Sequence, residues 1–228
     1  MHPLPQQSIR SRPAAGTRGF SLIEILVVVS ILGILGAVLF AVSQKVYLSS
    51  QRAIATNNLR QVGSAMQLYV QEKGTLPGPM WRGQSPNYAG DSRALGYNLA
   101  VYLDLPEPDG NRHDFPFLSC PLFEDLRPST GSPSYILCDK ATMIDETSVD
   151  PWGYRKGDSE TFSSPQGGLA FLANVSINSW ALRSFDQGNN ANPDAGWASD
   201  LLEEPIFPGG RLHLFFDWRV EFVPLDNG

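Results

Sequence analysis

The residues best placed to do chemistry stand at the mouth of an oily run. Residues 18–40 read RGFSLIEILVVVSILGILGAVLF, and the acid Glu24 sits four residues past Phe20. A carboxylate inside a membrane span is costly and calls for a partner. Gly19, a small residue, directly precedes Phe20. A cut after Gly19 would expose the α-amino group of Phe20, which titrates at about 7.7–8.0 and is largely protonated at neutral pH. That cation and a carboxylate one helical turn further in can pair between neighbouring subunits. In a low dielectric the pair registers one helix against the next, staggered along the axis. The competing reading is a plain signal anchor whose Glu24 snorkels to the head groups.

Other reactive groups are few. Cys120 and Cys138 are the only cysteines. A bridge between them closes a loop of about 18 residues, worth on the order of 3 kcal/mol in the chain-entropy model. The rival is a pair of thiols, free or holding a metal with His113 or His213, but no CxxC or HxxxH spacing supports the metal. Two acidic loops offer hard oxygen ligands of the kind calcium takes. One is EPDGNRHD, with Glu107, Asp109, Asn111 and Asp114; the other is DQGNNANPDAGWASD, with Asp186, Asn189, Asn190, Asn192, Asp194 and Asp200. Neither fits the EF-hand pattern, and a solvated polar loop is the competing reading. The second is the better calcium candidate, through Asp186, Asn190, Asp194 and Asp200. There is no GxSxG, P-loop or HExxH motif. Among the histidines, His2 lies ahead of the cut, His113 is expected on a loop surface and His213 on a strand, facing away from the core. The expectation is a structural protein with no catalytic residues and no cofactor beyond structural calcium.

The elements that must position Phe20 and Glu24 follow from hydropathy and charge. The chain has 228 residues, with 17 Lys and Arg against 23 Asp and Glu. Residues 1–19 carry Arg10, Arg12 and Arg18 and no acid, so the rest is strongly acidic. A basic head before an oily run predicts insertion with the N-terminus cytoplasmic. An acidic body argues against nucleic-acid binding. The span covers residues 20–42, roughly 35 Å of helix, enough for a bilayer core.

Residues 43–74 continue the helix with an amphipathic pattern. Leu48, Ala55, Leu59, Val62, Met66 and Tyr69 recur at helical spacing, and Gln51, Arg52, Asn57, Asn58, Arg60 and Gln61 lie opposite. Gly74 supplies a C-cap, and Pro77 and Pro79 bar continuation. One helix from residue 20 to 73 would be about 80 Å long. Residues 75–228 form the head, and 21 Gly and 18 Pro in the chain predict that it is rich in loops. Strands are expected at residues 134–138 and 169–175. The clearest pair is RLHLFF and RVEFV around Asp217-Trp218, with Leu212, Leu214 and Phe216 on one face and Val220 and Phe222 joining them. Trp218, where a two-residue turn favours Gly, predicts a different loop. The fold class is α+β: a long N-terminal helix, spanning first and amphipathic second, packed on a small antiparallel sheet.

The run GFSLIEILVVVSILGIL resembles the class III signal of type IV prepilins and type II secretion pseudopilins. The pattern is Gly, Phe, three residues, Glu, then an apolar helix, and Gly19, Phe20 and Glu24 fill it. The resemblance implies a cleaved leader at residues 1–19, a prepilin peptidase, N-methylation of Phe20, and pairing of Glu24 with a neighbour's N-terminus. It also implies a single-pass protein of the cytoplasmic membrane with an extracytoplasmic, periplasmic head. Its partners would be other pilin or pseudopilin subunits and a secretion or pilus assembly platform. Two departures stand out: the leader is longer than that of many pilins, and residues 39–44 lack the family's frequent proline.

Elsewhere, QEKGTLPGP at the helix exit resembles the family. DPWGYR, residues 150–155, resembles a turn of the major type II pseudopilin, with a generic Asp-Pro turn as the alternative. GGRLHLFFDWRVEFV resembles a pilin-like ending, GG…LFxDGHV, through Gly209, Gly210, Phe216, Asp217 and Val220. Trp218 and Arg219 replace its Gly and His, and Phe207 stands where its upstream histidine belongs. The leading expectation is a type II secretion pseudopilin. A major or minor type IV pilin for adhesion or DNA uptake is the first alternative. A membrane-tethered binding protein that never polymerises is the second.

Overall fold

The computed structural model describes residues 21–119, 122, 133–138, 140–153, 167–184 and 205–225. Helix α1 runs Leu22–Lys73, and the chain divides into compact units at residues 1–46 and 47–228.

Among the described residues of the first unit, α1 is the whole of the regular structure. Its aliphatic side chains, from Leu22 at 83% exposure to Val46 at 61%, are open to the surroundings. The polar exceptions are satisfied within the helix: the Ser30 hydroxyl donates to the Leu26 carbonyl and that of Ser43 to the Leu39 carbonyl, each at 2.8 Å. Such back-bonding is what hydrocarbon demands of a hydroxyl. Among the described residues this is the one helix long and apolar enough to cross a membrane.

In the second unit one face of the same helix becomes a core. Ala55, Leu59, Val62, Ala65, Met66 and Val70 are buried, and Tyr69 packs against them half-buried. Leu48 is only partly covered. Each buried Leu, Val or Met contributes about 1.5–3 kcal/mol relative to exposure. The helix stops at Gly74, whose φ of 76° suits a residue without Cβ, and whose N–H donates to the Val70 carbonyl at 2.8 Å.

The helix packs on a five-stranded antiparallel sheet. Its strands are β1 (Gly83–Gln84), β4 (Tyr135–Leu137), β7 (Trp180–Ser184), β8 (Gly210–Phe215) and β9 (Val220–Pro224), paired in the order β1-β4-β7-β8-β9. Two small ribbons sit outside it: β2 (Asn87–Tyr88) with β3 (His113–Asp114), and β5 (Ala141–Thr142) with β6 (Ser148–Val149). A short helix α2, Leu95–Leu99, and two 3-10 turns, Val101–Leu103 and Pro116–Leu118, complete the loop-rich first half of the head. Buried Gln84 ties that half together: its side-chain oxygen accepts from the Leu95 N–H at 2.6 Å and its amide donates to the Trp81 carbonyl.

The α+β class holds, with one element changed. Residues 169–175 were expected as a strand, but α3, Leu169–Asn174, is a helix. Its sequence, LAFLAN, is rich in strong helix formers and buries only Phe171. The strand comes later, at β7. The C-terminal hairpin forms as expected, with Leu212, Leu214 and Phe216 buried and Val220 and Phe222 half-buried behind them. Its loop is not the two-residue kind. Trp218 N–H donates to Phe215 O and Phe215 N–H to Arg219 O, both at 3.0 Å, so Phe216, Asp217 and Trp218 form the loop. Trp218 takes the left-handed position, φ 67°. A three-residue loop of this type ends in a left-handed residue, which is why glycine is favoured there.

Candidate functional site

Glu24 is the third residue of α1, and Ser21 precedes the helix. The Ser21 backbone N–H donates to Glu24 Oε2 at 2.8 Å, and the first turn closes through Ile25 N–H to Ser21 O at 3.3 Å. Four N–H groups at any helix start lack a partner, and one left bare in hydrocarbon costs several kcal/mol. Glu24 therefore has a task within its own chain, and its charge suits the positive end of the helix dipole. The signal was available in the sequence: Ser21-x-x-Glu24 is the pattern of a capping box. Only Oε2 is used in this way. Oε1 has no hydrogen-bond partner among the described residues, and Glu24 sits with exposed Ile23, Val27 and Val28 around it. One oxygen closes the helix, and the other remains available to a cation from outside. Gly19 and Phe20 lie outside the described residues.

The remaining candidates are scattered. Cys138 is buried beside Trp152, whose indole N–H donates to its Sγ at 3.4 Å; Cys120 lies outside the described residues. Asp186, Asn190, Asp194 and Asp200 also lie outside them. In the first acidic loop Asp109 is spent internally. Its Oδ1 accepts from the Asn111 N–H at 2.9 Å and meets His113 Nε2 at 2.7 Å, and its Oδ2 accepts from the Asn111 amide at 2.8 Å. The Asn111 amide, then His113, hold its pKa down at about 2. Among the described residues no three His, Cys, Asp or Glu side chains converge to hold a metal.

The histidines are structural in their settings. His113 belongs to β3 rather than to a loop surface; it is partly buried, its ring 5.3 Å from that of Tyr88. The alternation of β2 and β3 turns it onto Tyr88, which a loop reading of EPDGNRHD did not foresee. His213 does face away from Leu212 and Leu214, but it is half-buried between Trp180 at 5.6 Å and Phe215 at 5.9 Å. Burial first, then the Arg183 and Arg211 charges, push its pKa from 6.5 down to about 4.

The DPWG segment is a tight turn around a packing tryptophan. Asp150 Oδ1 accepts the N–H groups of Trp152 and Gly153, each at 3.0 Å. Trp152 is fully buried and stacks on Phe216 at 5.9 Å. Its role within the described residues is to hold the core against the C-terminal hairpin.

The site is thus an acid at the head of an uncovered apolar helix, on a chain whose head has its own core. Residues 15–40 match the prokaryotic N-terminal methylation motif. The chain carries a type IV pilin-like N-terminal signal, and the matched stretch includes Gly19, Phe20 and Glu24. No curated protein and no solved structure matches the chain. The signal implies processing by a prepilin peptidase and anchoring in the cytoplasmic membrane.

Proposed function

We propose that the chain is a structural subunit that a prepilin peptidase cuts after Gly19, and that assembles with other pilin-like subunits into a filament rooted in the cytoplasmic membrane. The observation that carries the reading is the methylation motif with Glu24 at its fifth mature position, one carboxylate oxygen uncommitted. Cutting after Gly19 supplies the missing partner, the Phe20 amine of a neighbour. The resemblance further implies N-methylation of that amine. Within this class we favour a type II secretion pseudopilin, because DPWGYR resembles a turn of the major pseudopilin. The head then lies on the extracytoplasmic side, where Cys120 and Cys138 would be oxidised to a disulfide. Structural calcium on the loop of Asp186, Asn190, Asp194 and Asp200 belongs to the same reading.

Intact-mass and N-terminal peptide spectrometry on chain purified from membranes with an active prepilin peptidase tests the reading. The expected product begins at N-methylated Phe20 and weighs two hydrogens less than the dithiol mass. A chain that keeps residues 1–19 would overturn the assembly reading. A correct N-terminus with two alkylatable thiols would remove only the disulfide.

A further inference from the structure

Charge in the head is unevenly partnered. Lys73 pairs with Glu72, Arg93 with Asp91, and Arg219 with Asp217 and Glu221. Two arginines on α1 stand apart. Arg60 is exposed and makes no ion pair among the described residues. Arg52 lies flat on the Phe222 ring at 3.8 Å, and its Nε is buried without a hydrogen bond. In a chain with 23 acids against 17 Lys and Arg, two arginines without a carboxylate among the described residues are conspicuous. No acid occurs between Glu24 and Glu72, so α1 supplies none near Arg52 or Arg60.

The uncommitted acids lie elsewhere. Asp104, Glu107 and Asp114 are exposed and have no ion-pair partner among the described residues. Their loop docks on one flank of the helix, through Asn58, whose amide donates to the Pro116 carbonyl at 3.3 Å. At about 100° per residue, Arg52 and Arg60 sit roughly 120° and 200° around α1 from Asn58. The buried stripe of Leu59 and Met66 lies between Asn58 and Arg52. So one copy holds Arg52 by β9, with Arg60 further round the helix, and the acids on the opposite flank, and among the described residues no ion pair joins the two groups.

We propose that Arg52 and Arg60 receive the Asp104, Glu107 and Asp114 lobe of a second copy of this chain. The two patches differ, so the contact is heterologous: each copy offers one patch forward and one back. Such contacts propagate as open helical filaments when the rotation does not close. Opposite charges on the meeting faces set register and suppress wrong partners. The inference rests on the assembly reading above and names which head surfaces meet.

Full-length chain, assembled in membranes from mixed isotope-labelled and unlabelled copies, provides the test. Arg60→Lys supplies an amine that a zero-length carbodiimide can couple to a carboxylate. The expected product is a mixed-label isopeptide between position 60 and the 104–114 peptide. Arg60→Glu should lower the yield of multimers trapped by cysteine pairs placed along residues 22–46 by about tenfold. Adding Glu107→Lys and Asp114→Lys to Arg60→Glu should restore it. All three positions are exposed, so folding is not at stake. Coupling only within single-label chains, or full multimer yield from Arg60→Glu, would overturn the inference and leave the assembly reading standing. No multimers from the wild-type chain would overturn both.

Discussion

The two halves of α1 use one backbone geometry for opposite purposes. Residues 22–46 expose Leu, Ile and Val on every side, and their single acid is bound to the helix start. Residues 47–73 gather Ala55, Leu59, Val62 and Met66 on one face and leave Ser, Asn and Gln on the other. Composition decides the difference. An all-round apolar helix can be stable only where its surroundings are apolar, whereas a one-sided helix is stabilised by the sheet it covers. The proposed function follows the same division: in it the first half meets membrane and neighbours, and the second belongs to the core of the head.

The largest effects should fall on one half or the other, not both. Trp152→Ala removes a fully buried ring stacked on Phe216 and should cost the head about 3–5 kcal/mol in urea unfolding. Subunit crosslinking through residues 22–46 should weaken only as far as folded head is lost. Glu24→Ala should do the reverse. Head unfolding should stay unchanged, while crosslinked multimers fall sharply, since breaking a pair in low dielectric costs about 3–5 kcal/mol. Membrane insertion should change little, because removing the costly charge offsets the Ser21 N–H left without its cap. Undiminished crosslinking in Glu24→Ala would mean that the carboxylate serves only its own helix, through Ser21.

His213 gives a smaller, pH-dependent effect confined to the head. Its pKa in the fold, about 4, lies below the ordinary 6.5, so the folded state binds the proton more weakly than the unfolded chain. Its contribution is complete above pH 6.5 and is lost as pH falls towards 4. The ceiling is about 3 kcal/mol from the shift, and less in practice because the ring is only half-buried. The loss should be distinct from that of Asp91, which the Arg93 guanidinium holds down at about 2 and which titrates at still lower pH. Urea midpoints of wild type and His213→Gln between pH 7 and 4 should converge as the pH drops. A parallel pair of curves would show that His213 titrates normally.

The ease of reading the sequence followed the length of each pattern. The N-terminal signal was legible because the motif and the apolar run span more than twenty residues, and Leu59, Val62 and Met66 because helical spacing repeats. The hairpin was legible from Leu212, Leu214 and Phe216 alternating with Arg211 and His213. Residues 169–174 misled because LAFLAN is short and apolar, and a run of six does not separate strand from helix. The Ser21 cap was less legible because two polar residues three apart are a short signal beside an apolar run of more than twenty. The seat of Arg52 on Phe222 joins residues far apart in sequence, and no local pattern reports it.

The smallest effect concerns the tip of the hairpin, and it separates backbone strain from packing. Trp218 sits at φ 67°, where a Cβ costs about 1–2 kcal/mol and glycine costs nothing. Its indole packs half-buried against the core, so Trp218→Gly loses contact area while it relieves strain. Those terms oppose each other, and the net change should stay within about 1 kcal/mol of wild type. The informative comparison is Trp218→Ala, which loses the same indole and keeps the strain. It should be less stable than Trp218→Gly by about 1 kcal/mol, the reverse of the usual order for these residues in regular structure. The neighbouring helix constrains any escape. A Cβ on Gly63 would come within 3.0 Å of Leu214 Cδ1 and 3.7 Å of Trp218 Cβ, so the tip is seated closely on α1. An alanine variant as stable as the glycine one would mean that the loop re-forms with two residues once the indole is gone. A changed hydrogen-exchange rate at the Arg219 and Val220 amides would then report the shift in register.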